Sequence, residues 1–299
     1  MLMSDFRLKV FQSVAKNLSF TKASQELFIS QPAITKHIRE LESCYQVRLF
    51  NRQGSKISLT DAGELLLKHC EKILEDYKQL EYEMHLQHNE CMGELKLGAS
   101  TTIAQYVLPL LLGRFIAKFP HIDLSLMSGN SREVETALQE HRIDLGFVEG
   151  IFRLPNLKYT LFLKDELVAV VPVHSRLKLP DEITPECLTD IPLVLRERGS
   201  GTLDVFERAL LHHNLKLSSL NVLMYLGSTE SIKLFIENTD CMGIVSIRSV
   251  HKELAAGILR VIDIKGMPMQ REFNFVQLQG QEGGLSSVFM RFASHHVPF

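Results

Sequence analysis

Residues 30–42 read SQPAITKHIRELE. Ile34, Ile38 and Leu41 recur at the three- and four-residue spacing of a single helix face, so they form a buried stripe. Ser30 can cap the start of that helix, because its side-chain oxygen can accept from a free N–H of the first turn. Pro32 falls in that turn, where a missing N–H costs little. The same geometry turns Gln31, Thr35, Lys36 and Arg39 outward with Pro32 beside them and leaves His37 off that face. An amide, a hydroxyl and cations at the start of an exposed helix fit a major groove, where the N-terminal residues of a reading helix meet base edges.

Two shorter helices precede this one. Phe6, Val10, Phe11 and Val14 mark the first, and Phe20, Ala23, Leu27 and Phe28 the second, which Thr21 can cap. Ser19 and Thr21 at the second helix start offer hydroxyls and free N–H groups suited to a phosphate. After the third helix, VRLFNRQGSKISLT alternates around Gln53-Gly54-Ser55 and predicts a short two-stranded wing carrying Arg52. Three helices and a wing predict a winged helix-turn-helix domain over residues 1–60. A long helix without proline then fills residues 61–90. Leu66, Cys70, Ile73, Tyr77, Leu80 and Met84 alternate spacings of four and three along it, which predicts a coiled-coil dimer seam.

Charge separates the first domain from the rest. Residues 1–60 carry nine Lys and Arg against four Asp and Glu, a net +5, while the remainder carries 24 against 31, a net −7. A basic module joined to an acidic one implies a polyanion partner for the former only. The five cysteines, Cys44, Cys70, Cys91, Cys187 and Cys241, form no C-x-x-C pair and imply neither a disulfide framework nor a zinc site. His85 and His88, and the adjacent pairs His212-His213 and His295-His296, read as surface side chains, and no metal or cofactor is expected. The N-terminus lacks the apolar core of a signal peptide and no apolar run approaches the ~20 residues that span a bilayer, so a cytoplasmic protein without membrane partners is expected.

Beyond residue 93 strands alternate with helices: ELKLGAS, a helix over 103–118, IDLSLMS, a helix over 132–141 and DLGFVEG. ELVAVVPV, PLVLRE and GIVSI follow, with helices near 202–213 and 229–238 between them. This pattern predicts a parallel α/β architecture.

The stretch LKVFQSVAKNLSFTKASQELFISQPAITKHIRELESCYQVRLFNRQGSKISLTDAG, the long helix, GELKLGAS, GSGT and GSTESIKLF together resemble the LysR-type transcriptional regulators over nearly the whole chain. The α/β half is most similar to the branch that includes regulators of sulfur assimilation. ENTDCMGIVS departs from the glycine-rich stretch that members often carry there, which puts fine contacts on that lip in doubt.

The resemblance implies an all-α winged helix-turn-helix domain joined by a linker helix to a two-lobed, periplasmic-binding-protein-like α/β effector domain over 93–299. Lobe I would comprise 93–162 and 268–299, and lobe II 163–267. It implies contact with double-stranded DNA: base or groove edges for Gln31, Pro32, Thr35 and Lys36, backbone for Arg39 and Arg52, with Ser30 also among the DNA-binding residues. It also implies self-association as a homodimer or homotetramer and a small effector between the lobes.

Ligands of such folds bind beyond the carboxyl ends of strands, where helix N-termini present free N–H groups. Ser100, Thr101 and Thr102 follow one strand, Gly199, Ser200, Gly201 and Thr202 another, and Gly227-Ser228-Thr229 a third. Asn130, Ser131 and Glu149 also end strands, and Arg196 and Arg198 add positive charge. Hydroxyls, N–H groups and helix dipoles converging on a cleft suit a small anion, although capping explains Asn130 and Ser131 equally well. An α/β enzyme with a DNA-binding appendage would need a catalytic motif, and the chain has no G-x-S-x-G, H-E-x-x-H, P-loop or G-x-G-x-x-G. A solute-binding protein would not need the reading head, and an architectural DNA-binding protein would not need the cleft.

Overall fold

The structure, a computed structural model, describes residues 6–53, 56–87, 92–280 and 283–296. The chain divides into two compact units, Met1–Glu90 and Cys91–Phe299.

The first unit runs α1 (Phe6–Asn17), α2 (Phe20–Glu26), α3 (Gln31–Tyr45), β1 (Phe50–Gln53), β2 (Lys56–Leu59) and α4 (Asp61–Gln87). Val10, Phe11, Val14, Phe20, Ile34 and Ile38 fill its core. The capping residue of α2 is Ser19, whose Oγ accepts from Lys22 N–H at 3.2 Å, so Thr21 lies inside the first turn and is not the cap. Phe28 also departs from the helical spacing expected of it. The N–H of Ile29 closes on the Ser24 carbonyl at 3.2 Å, ending α2 through a left-handed residue, and Phe28 takes that place with φ 54° and 94% exposure. β1 and β2 pair antiparallel as the wing. Gly63 lets the first turn of α4 seat on the segment leading into the wing, since a Cβ there would lie 2.2 Å from the Leu49 carbonyl oxygen.

The expected seam on α4 splits. Cys70 is fully buried against α1, with its Sγ 3.3 Å from the Leu8 carbonyl, and Leu66 packs in the same cluster. Leu65, Ile73 and Leu80 stay exposed. The side chains of Met84, His85 and Arg52, and residues 54–55, 88 and 91, lie outside what is described.

The second unit comprises β3 (Gly93–Ser100), α5 (Thr101–Tyr106), α6 (Leu108–Lys118), β4 (Ile122–Gly129), α7 (Ser131–Gln139), β5 (Leu145–Glu149) and β6 (Leu157–Pro172). Then come β7 (Glu182–Ile183), β8 (Leu193–Arg196), α8 (Gly201–His212), β9 (Val222–Leu226), α9 (Thr229–Glu237) and β10 (Met242–Ser246). α10 (His251–Ala255), β11 (Leu259–Ile264), β12 (Gln270–Leu278) and α11 (Gly284–His295) complete it. The helix expected over 103–118 is two helices broken at Val107, with Pro109 in the first turn of α6.

Strands β4-β3-β5 run parallel in one lobe and β10-β8-β9 in the other. The sheet is not parallel throughout, because β6 and β12 are antiparallel to their neighbours. β6 passes through both lobes, pairing with β12 up to Glu166 and with β10 from Leu167 onward. Each lobe keeps its own core, one around Phe115, Phe147, Phe275 and Phe289, the other around Leu193, Leu195, Phe206 and Ile244. The two lobes therefore meet along the crossing strands and at the helix starts that face each other across them.

Candidate functional site

In the first unit, Ser30 caps α3, its Oγ accepting from Ala33 N–H at 3.4 Å, with Pro32 in the first turn. Gln31, Pro32, Lys36 and Arg39 are exposed on one face, and Thr35 is half-buried with its Oγ1 donating to the Gln31 carbonyl at 3.1 Å. These five side chains line one open depression. His37 points elsewhere, packing edge-on against Phe6 and lying 3.8 Å from Glu40. Ser19 gives its oxygen lone pair to the α2 cap, and Thr21 is exposed two residues on, within the same turn.

In the second unit, four of the expected cleft residues converge. The Glu149 carboxylate accepts from Ser100 Oγ at 2.6 Å, Thr102 Oγ1 at 3.3 Å and Thr202 Oγ1 at 3.4 Å. Ser100 and Thr102 belong to one lobe and Thr202 to the other. Ser131 Oγ donates to the Glu149 carbonyl at 2.7 Å. Gly201 makes the approach possible, since a Cβ there would lie 2.0 Å from that same carbonyl oxygen. The hydroxyls expected to receive an effector anion thus already hold a carboxylate from the chain itself.

A buried guanidinium balances the charge. Arg271 on β12 places Nη1 3.2 Å from Glu149 and 2.9 Å from Thr202 Oγ1, while its Nε donates to Asp165 at 2.7 Å. Asp165 on β6 also accepts from Ser246 Oγ at 2.8 Å and has Arg248 Nε at 3.6 Å. Arg271, Asp165 and Glu149 are all buried, and a charge so placed is tolerable only when paired and hydrogen-bonded. Arg271 and Asp165 were missing from the sequence expectation. Their signal was a charged residue inside each crossing strand, in KDELVAVV and QREFNFV.

Other expected residues serve local structure. The Asn130 side chain closes a capping box with Glu133 at the start of α7. Ser200 caps α8 and Ser228 caps α9, with Thr229 buried beside it. Arg196 is buried but forks onto Glu197 at 2.9 and 3.0 Å, away from the Glu149 cluster. Thr101 is buried, and Gly199, with φ 89°, lets its carbonyl accept from Arg132 N–H of the other lobe at 3.3 Å.

A second contact between the lobes joins Tyr106 on α5 to Glu230 on α9 through the phenol O–H. Lys233 lies 2.8 Å from Glu230 and 2.7 Å from Glu253. Burial alone would raise the pKa of Glu230, but hydrogen bonds from Lys233 and Tyr106 outweigh it and hold the carboxyl below its ordinary value. Burial would likewise lower Lys233, and its two carboxylate partners reverse that. Among the described residues no group of three or more His, Cys, Asp or Glu side chains could hold a metal, and no helix is long and apolar enough to cross a membrane. Cys241 is buried and its thiol is pushed up to about 11, so it is not poised as a thiolate.

Residues 6–64 match the family described as "Bacterial regulatory helix-turn-helix protein, lysR family", and residues 88–297 match "LysR substrate binding domain". The "HTH-type transcriptional regulator CysL" of Bacillus subtilis is 29% identical over 269 residues, 90% of this chain and 89% of that protein. The "RuBisCO operon transcriptional regulator" of Acidithiobacillus ferrooxidans is 30% identical over 275 residues, 92% and 88% of the two chains. The regulatory domain of Synechocystis CcmR in complex with 2-PG superposes with a TM-score of 0.62 at 28% identity, covering 68% of this chain and 97% of that one. Full-length OxyR from Pseudomonas aeruginosa shares the fold along 98% of this chain and 97% of its own, with a TM-score of 0.71 at 18% identity.

Proposed function

The chain belongs to the LysR family of DNA-binding transcription regulators, and from that we propose that it is controlled by a small anion held between the two lobes of its effector domain. The observation that carries this reading is the carboxylate of Glu149. Hydroxyls from both lobes and a guanidinium from a crossing strand converge on it, and the same donors suit a carboxylate or oxyanion of an effector. An incoming anion displaces Glu149 from Ser100, Thr102 and Thr202. That separates or re-seats the Glu149–Gly201 contact, and the lobes change their relative arrangement. By linkage, a ligand that prefers one arrangement changes how the reading heads sit on DNA.

In the head, Gln31, Pro32, Thr35 and Lys36 meet base edges, while Arg39, Arg52, Ser19 and Thr21 hold phosphates. The exposed stripe Leu65, Ile73 and Leu80 has the spacing of a helix seam, which supports a homodimer through α4 and, by pairing of dimers, a tetramer. The protein acts in the cytoplasm, where its DNA is, and is not an enzyme. The test is a gel-shift titration on a duplex selected by the protein, with and without small anions. Replacing Thr102 and Thr202 together by valine should abolish the response to an anion; an unchanged response would place the effector elsewhere.

A further inference from the structure

We infer that the effector domain has a second anion site, distinct from the Ser100–Thr102–Thr202 set, in the cavity beside the crossing strands, and that it takes a small dianion such as a phosphate monoester or a short dicarboxylate. The cavity measures about 880 Å³ and is bounded by β6 and β12, by the turn after β5, by α8 and by the segment from Ile247 to His251. None of the hydroxyl residues that surround Glu149 lines it.

Three observations point to an anion. The lining carries five Arg and Lys against three Asp and Glu, so the empty space faces a net charge of +2. Two of those cations, Lys164 on β6 and Arg208 on α8, are exposed and, among the described residues, have neither an ion pair nor a side-chain hydrogen bond. The third observation is Arg271. Its Nε and Nη1 are engaged by Asp165, Glu149 and Thr202, but its Nη2 is buried and has no partner among the described residues. A buried guanidinium N–H left unmatched costs more than an exposed one. Arg271 lines this cavity, so a ligand oxygen is a fitting partner for that nitrogen. Arg248, half-buried and 3.6 Å from Asp165, adds a further positive charge.

Bidentate or clustered cation contacts of this kind favour phosphate and carboxylate groups. The site also reaches the first one. Arg271 lines the cavity and also holds Glu149 and Thr202 through Nη1, so occupying the cavity acts on the guanidinium that holds the inter-lobe cluster. This inference adds a site to the family reading and does not depend on the hydroxyl set being an effector site.

The experiment is isothermal titration of the full chain with inorganic phosphate and, in a separate arm, malonate, at constant ionic strength set with chloride. The wild type should bind at least one of the two dianions with a dissociation constant below about 10 mM, and the arm that binds more tightly tells phosphoryl from dicarboxylate ligands. The K164Q/R208Q variant should bind about tenfold more weakly or worse, from the loss of two charge-assisted contacts. Its melting temperature without anion should match the wild type, since neither side chain holds a partner. T102V/T202V should keep this binding. Loss in T102V/T202V with none in K164Q/R208Q would move the anion to the hydroxyl set, overturning the second site and leaving the function above standing. Equal weakening in a K178Q/K265Q control would reduce the effect to general screening and overturn it, as would a wild type that binds neither dianion.

Discussion

Replacing Arg271 by methionine is the sharpest perturbation of the effector domain. The side chain is buried among two buried carboxylates, with Nε 2.7 Å from Asp165 and Nη1 3.2 Å from Glu149. Methionine keeps much of the volume and removes the charge. Breaking a buried pair by deleting one partner costs about 3–5 kcal/mol, because the remaining charge has no compensation. Arg248 remains near Asp165 and three hydroxyls remain on Glu149, so the lower end, about 3 kcal/mol, is expected. The assay is hydrogen exchange in the full chain, read at amides of β6 and β12 around Leu163–Leu167 and Phe273–Phe275. Protection there should fall by roughly a hundredfold for ~3 kcal/mol of lost stability. Adding Glu149→Gln and Asp165→Asn should restore at least half of it, since removing a whole buried ion cluster is far less costly than orphaning part of it. A loss below about 1 kcal/mol in the single variant, or no recovery in the triple, would refute the view that this guanidinium holds the lobes' shared centre.

Phe28 gives a test of opposite sign. It sits exposed at φ 54°, where a side chain other than glycine or asparagine is strained, so Phe28→Asn should raise the stability of the reading head by about 1 kcal/mol. A lower denaturation midpoint would show that the ring makes a contact worth more than the strain. The thiols should divide by burial: burial pushes Cys70 up to about 12 and Cys241 up to about 11, while Cys44 and Cys187 are exposed. A disulfide reagent at pH 8 should label Cys44 and Cys187 in the native protein, and reach Cys70 and Cys241 only on unfolding. Rapid native labelling of Cys241 would contradict its burial. Finally, the Tyr106–Glu230–Lys233 contact should respond to pH. The carboxyl of Glu230 is held below its ordinary value, so its contribution is present above the unfolded carboxylate range and is lost as pH falls through the folded value. Acid melting curves of wild type and Glu230→Gln should therefore converge below about pH 4 and separate above it; parallel curves would remove the latch.

Much of this fold was legible because periodicity is a local property. The stripe Ile34, Ile38 and Leu41 has one burial solution, and it leaves Gln31, Lys36 and Arg39 outside. Ser100 and Glu149 could be picked out as cleft residues because each closes a strand before a turn or helix, and Thr202 because it opens the helix that follows β8. What was hidden depends on distant parts of the chain. Phe28 shares the spacing of a core residue, but the chain must reverse before α3 and uses that position for the left-handed turn. Cys70 fits a dimer seam equally well as a contact with α1, and only the fold of the head decides between them. The hydroxyl set read as an empty anion site, whereas Glu149, from the same candidate list, fills it. Arg271 is 106 residues from Asp165 in sequence, so no window could have paired them. The antiparallel crossing strands β6 and β12 escaped the parallel α/β reading because their direction is set by the return of the chain between lobes, not by local pattern.

The proposed function turns on α3 reading DNA while the charged surface around it holds the backbone. The measurement that bears on it most directly is the affinity of the full chain for its selected duplex and for a scrambled one, across a range of salt. With roughly four phosphates neutralised per head, a dimer should give a log–log slope of about −7 on both duplexes. Lys36→Ala should shrink the preference for the selected duplex by about tenfold with little change in slope, while Arg52→Ala should weaken both duplexes alike and flatten the slope. Equal affinity of the wild type for both duplexes, or binding that ignores salt, would contradict the account.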